Sequence, residues 1–145
     1  MKNLFYTLLI LTSLNLYVFS STNLGETDEI KFTQDLIKLS ESLDNDPVQL
    51  YNYVYDNISY IDYRGSTKTA QSVFETKVGN QVDQCTLLIA LYRIAGIQAV
   101  YKYKSLASDY CFVYAKVPMD SIRGWSFNGS SQWIALSPWF KAKFP

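Results

Sequence analysis

The chain has 145 residues, 13 basic and 13 acidic, with no histidine; 48% are hydrophobic and 18% charged. That length sets a prior of one domain, the composition is globular rather than disordered, and a balanced charge argues against nucleic acid as a partner. Without imidazole, Ser-His-Asp, Cys-His and His-metal chemistry are excluded in their usual forms, and two cysteines alone build neither a zinc nor an iron–sulfur site, so no metal or cofactor is expected.

Residues 1–20 read as a secretory signal peptide. Lys2 gives a positive start, and Leu4 to Phe19 is an apolar run broken by Thr7, Thr12, Ser13 and Asn15. Val18 and Ser20 supply the small residues of a cleavage site, which places the cut after Ser20. A membrane span needs about 20 predominantly apolar residues, so no stable span is expected after cleavage. The expected location is secreted or periplasmic. Losing Lys2 leaves the mature chain at a net charge of −1.

Residues 21–27 read as a flexible leader and 28–145 as one domain. From Asp28, Ile30, Phe32, Leu36, Ile37, Leu39 and Leu43 recur near helical spacing, predicting a helix to Leu43. Asp46-Pro47 is a helix start: Asp46 can cap, and proline at the first position gives up no needed hydrogen bond. That second helix runs to about Asn57. Ile58 to Tyr63 alternates as an extended segment, ended by Arg64-Gly65-Ser66. Thr69 to Lys77 is a short helix candidate. After the break at Gly79-Asn80 comes the most apolar helix, with Leu87, Leu88, Leu91, Ile94 and Ala95, ending at Gly96 as a left-handed cap. A helix this apolar is central and covered on most sides. Ile97 to Tyr103, Tyr110 to Val117 and Trp133 to Leu136 are strands, with a loop from Met119 to Ser131. Helices first and an antiparallel sheet afterwards is an α+β order.

Chemistry-bearing motifs are sparse. No glycine-rich phosphate loop is present. The acidic cluster Asp28, Glu29, Asp35 and Glu41 fits a solvated helix face better than an acid site. Twelve tyrosines and three tryptophans could form a sugar platform, but strands and small cores use such residues as filler.

The informative residues run from Asp46 to Lys141. Asp46 to Val54 followed by Asn57-Ile58-Ser59-Tyr60 resembles the entry segment of the bacterial transglutaminase-like (papain-fold) domain family. Gly79-Asn80-Gln81-Val82-Asp83-Gln84-Cys85, continuing through Ala90-Leu91-Tyr92-Arg93-Ile94-Ala95-Gly96-Ile97-Gln98-Ala99, resembles that family's central helix. Phe112 to Pro118 resembles the strand that normally begins His-x-Trp-Val-Glu. Trp133-Ile134-Ala135-Leu136-Ser137-Pro138-Trp139-Phe140-Lys141 resembles the Trp-x-x-Leu-Asp-Pro-x-Phe-Lys ending, and the Arg123-Gly124 loop is familiar from large secreted members. The resemblance implies a transglutaminase-like core, a central helix packed on a small antiparallel sheet and preceded by N-terminal helices.

Enzymes of that family use a Cys-His-Asp triad for acyl transfer or peptide cleavage. Here the three positions fall on Gln81, Tyr110 and Ser137. Glutamine is no nucleophile, and a phenol with a pKa of about 10 is a poor base near neutrality. The resemblance therefore implies a scaffold without its reactive atoms, a pseudoenzyme holding a peptide, protein or cell-envelope component in the former groove. Gln81, Tyr110, Phe112, Ser137 and Trp139 are the candidate groove residues. Two alternatives stand beside it. Cys85, one helical turn (about 6 Å) after Gln81, is a candidate displaced nucleophile for a thiol-dependent acyltransferase or peptidase. The chain is otherwise a truncated relic of a larger secreted protein. Cys85 and Cys111 are open to three readings: core thiols, a disulfide, or a reactive Cys85. Strand alternation turns Cys111 away from the face of Tyr110, which argues against the bridge.

Overall fold

The computed structural model describes residues 23–103, 111–118 and 131–138. The expected signal peptide, the loop 119–130, Tyr110 and Trp139 lie outside the described residues. The elements are α1 (Gln34–Ser42), α2 (Pro47–Asn57), β1 (Ser59–Tyr60), α3 (Ala70–Thr76), β2 (Val78–Gly79), α4 (Gln81–Ile94), β3 (Ala99–Tyr103), β4 (Cys111–Pro118) and β5 (Ser131–Leu136). Helices come first and an antiparallel sheet of order β3-β4-β5 follows. The fold is α+β, as the order of predicted elements requires.

Local chemistry sets most boundaries. Asp46 caps α2, its carboxylate accepting from Gln49 N at 2.8 Å, with Pro47 at the first helical position. Thr69 caps α3, its hydroxyl accepting from Ser72 N at 3.3 Å. α4 ends in a Schellman turn: Gly96 N donates to Arg93 O (3.1 Å) and Ile97 N to Tyr92 O (2.8 Å). Gly96 has φ 77°, which glycine adopts without a Cβ clash.

The first helix is shorter than its periodicity predicts. Thr33 caps it, so residues 28–32 precede it as non-helical chain. Ile30 is fully buried all the same, and Glu29 O accepts from Ala70 N at 2.9 Å. Ile30 and Phe32 are two residues apart, a spacing that suits extended chain as well as helix. In the described part of the leader, Asn23 O accepts from Ala99 N at 3.1 Å and Gly25 O accepts from Arg93 Nη1 at 2.7 Å. Arg93 is itself buried, and its Nε donates to Ala99 O at 3.0 Å.

The core is built around α4. Every residue from Gln81 to Arg93 is buried, which requires neighbours on all sides of the helix. Helices α1, α2 and α3 cover one side and the sheet the other. Leu87, Leu88, Ile89 and Leu91 are completely enclosed, each contributing about 1.5–3 kcal/mol. On β4, Cys111, Val113, Ala115 and Val117 are buried while Phe112, Tyr114, Lys116 and Pro118 are not. The first set faces α4 and the second faces away. A two-residue parallel pair, Ser59 with Val78 and Tyr60 with Gly79, ties β1 to β2 just before α4 begins.

Candidate functional site

The N-terminus of α4 is fixed by a dense polar knot. Asn80 caps the helix: its Oδ1 accepts from Asp83 N at 3.0 Å, and Asp83 Oδ2 accepts from Asn80 N at 3.4 Å, a reciprocal capping box. Asn80 Nδ2 also donates to Tyr63 O at 2.9 Å. Asp83 Oδ1 accepts from Thr67 N and Lys68 N, both at 3.2 Å, and from Ser66 Oγ at 3.4 Å. The Tyr63 hydroxyl donates to Asp83 Oδ2. One carboxylate thus holds the whole 63–68 segment against the helix start. Burial pushes the Asp83 carboxyl above its usual range, and the backbone N–H groups of Lys68, Thr67 and Asn80 pull it partly back.

Gln81, the first residue of α4, is buried. Tyr60 Oη lies 3.2 Å from Gln81 Oε1 and 3.3 Å from Asp62 Oδ1, so the phenol bridges the helix start to an exposed carboxylate. Tyr60 is 43% exposed and stands at the start of α4. The sequence reading missed it. No local signal marks it: Ser59 and Tyr60 are both exposed, and the two-residue pairing with β2 that brings Tyr60 to Gln81 is too short to carry a periodicity.

Phe112 and Ser137 are half-buried. Phe112 sits on the sheet face away from α4, opposite Lys102 of β3. Ser137 follows β5, next to buried Leu136, whose partner on β4 is Val113. Phe112 and Ser137 therefore gather at the end of the sheet where β4 begins and β5 finishes. Cys85 meets Cys111 at that same end, and Gln81 lies one turn nearer the start of α4. Phe112, on the face away from α4, is not on the same side of the sheet as Gln81. Tyr110 and Trp139 complete the candidate set and lie outside the described residues.

Cys85 and Cys111 are both fully buried. Cys111 lies on the buried face of β4 that packs on α4, so the two free thiols meet in the core. Cys85 Sγ donates to Cys111 O at 3.5 Å. Burial pushes the Cys85 thiol well up, with the hydrogen bond to the Cys111 side chain and the nearness of that thiol adding to it. A thiolate nucleophile needs the reverse. Next to it, Thr86 Oγ1 and Tyr101 Oη share a 2.8 Å hydrogen bond, and burial raises the Tyr101 phenol strongly. Among the described residues, no group of three His, Cys, Asp or Glu side chains could hold a metal, and no helix is long and apolar enough to cross a membrane.

A central helix with a capped, buried N-terminus packed on an antiparallel sheet is the papain-like α+β arrangement. Residues 30–138 match the family described as the transglutaminase-like superfamily, so the chain belongs to that superfamily. A solved structure of a candidate cysteine protease from Cytophaga hutchinsonii is similar, with a TM-score of 0.56 and 20% sequence identity. The alignment covers 80% of this chain and 40% of that one, so this chain spans less than half of that protein. No curated protein matches.

Proposed function

We propose that this chain is an exported, catalytically inactive transglutaminase-like domain that holds a peptide, protein or cell-envelope component in the former active-site groove. The observation that carries the reading is the start of α4. Its first residue, at the family's cysteine position, is Gln81, whose amide is already engaged by Tyr60, in a chain with no histidine. The helix start around it is fully built, with its cap, capping box and the Asp83 knot. Cys85 does not substitute for the missing nucleophile, because it is sealed in the core with its thiol pKa raised.

The test is direct. The mature chain is assayed for incorporation of a labelled amine into a glutamine peptide and for cleavage of a peptide library, and in parallel for retention on purified cell-wall sacculi and on a displayed peptide library. Retention without turnover, weakened by Gln81→Ala or Tyr110→Ala at an unchanged melting temperature, is the expected outcome. Turnover abolished by Cys85→Ser refutes the reading. Loss of retention only in step with loss of melting temperature assigns these residues to packing instead.

A further inference from the structure

At the far end of α4 from Gln81, a recess of about 250 Å³ lies between that helix and α1. Phe32, Ile37 and Ile94 give it apolar walls, the exposed Glu41 and Asn45 stand at its rim, and the buried Arg93 supplies a cation. Ile37 and Glu41 are one turn apart on α1 and so share a face. Asn45 is held in the turn after α1: its N–H donates to Ser40 O at 2.9 Å, and its Oδ1 accepts from Ser40 Oγ at 2.7 Å. Arg93 spends Nε and Nη1 on the carbonyls of Ala99 and Gly25, both neutral acceptors. Burial pulls its pKa down from the usual range, with the Tyr101 phenol acting the other way. A guanidinium stays charged even so. Among the described residues the ion pair is Lys31–Glu26, not one to Arg93. Glu26, next to Gly25, is engaged by that lysine and by Phe32 N. Glu41 shares the recess with Arg93 but stands outside ion-pair distance of it. The recess thus carries one group of each sign, held apart, beside an apolar wall.

We propose that this recess binds a free α-amino acid with a branched apolar side chain, its carboxylate on Arg93, its ammonium on Glu41 and its side chain against Phe32, Ile37 and Ile94. Charge complementarity selects that occupant. A buried cation without a carboxylate beside it is costly, and an incoming carboxylate relieves that cost through charge-assisted hydrogen bonds. A simple fatty acid would satisfy Arg93 but bring its anion towards Glu41. A simple amine would satisfy Glu41 but bring its cation towards Arg93. A free amino acid carries both signs on one carbon, with the apolar branch on the same atom. The size agrees, since the volume falls below the range of about 300–1,000 Å³ typical of drug-sized ligands. Twelve positions of α4, about 18 Å of helix, separate Arg93 from Gln81. This site is therefore distinct from the groove proposed above and stands or falls independently of it.

The experiment titrates the full mature chain with L-leucine and with three compounds that each lack one part of it. Isocaproate lacks the ammonium, isoamylamine lacks the carboxylate, and glycine lacks the side chain. Calorimetry reads affinity, and backbone amide resonances read the place of binding. Leucine is expected to bind at least about tenfold more tightly than each of the three and to shift the amides of Ile37, Glu41, Arg93 and Ile94. Glu41→Gln, at an exposed position, is expected to bring leucine down to the level of isocaproate at an unchanged melting temperature. Ile37→Trp, which fills the recess from α1, is expected to abolish binding. Should that variant fail to fold, Glu41→Gln and the compound series on the native chain still decide. No binding of leucine, equal binding of isocaproate or isoamylamine, leucine binding unaffected by Glu41→Gln, or amide shifts at Tyr60 and Gln81 in place of the recess would each overturn the proposal.

Discussion

Two glycines show how differently the same residue can be required. At Gly96 a Cβ would meet nothing within 4 Å, so only its φ of 77° matters. Gly96→Ala is expected to lower stability by about 1 kcal/mol, read from the urea midpoint. At Gly79 an added Cβ would sit 2.8 Å from Asp83 Cβ, which the capping box holds in place. Gly79→Ala is expected to cost more, about 1–3 kcal/mol, because helix start or knot must move. Asp83 itself gives a signature in pH. Its folded carboxyl titrates above the ordinary 3.8, so folding favours the protonated form. That stabilisation is fully present below the unfolded pKa and is lost as pH rises through the folded value. Relative to Asp83→Asn, which does not titrate, the native chain is expected to lose stability with rising pH across that window and then level off. Urea titrations from about pH 3 to pH 7 measure it. A flat difference would mean that the backbone N–H groups cancel the effect of burial, and a rise with pH that they outweigh it.

At the scale of elements, what could be read from sequence was what local chemistry dictates. Asp46-Pro47 announced α2 because cap and first residue are both side-chain properties, and the helix begins there. Asp46→Ala is expected to cost about 1 kcal/mol, measured as a shift in thermal midpoint. Gly96 announced the end of α4 for the same reason. α1 was overextended because buried Ile30 fits a helical stripe and an extended approach equally well; Thr33 decides between them. The β1–β2 pair was illegible, since two residues carry no periodicity and their partner lies across α3. Of the candidate site, Gln81, Phe112 and Ser137 were legible only through resemblance. Tyr60 and the Asp83 knot depend on a tertiary crossing that no local pattern encodes.

At the scale of the whole molecule, α4 makes the two cysteines reporters of global opening. Cys85 is reached only when helix and sheet separate, and its raised pKa slows any reaction further. Iodoacetamide labelling of Cys85, followed by intact mass, is expected to proceed at the rate set by global unfolding and to accelerate with denaturant in parallel with loss of ellipticity. Labelling faster than unfolding at neutral pH would reveal a local opening beside the groove and would return the thiol to consideration as a reactive group.

The enclosure of α4 also fixes an order of events during synthesis. Its thirteen buried residues are covered by helices already made and by strands that come later in the chain. A nascent chain that has finished α4 has nowhere to put half of that helix until the β3–β4 hairpin is complete. Stable structure around α4 therefore waits for β4, and until then the sheet-facing side of the helix is exposed to chaperones.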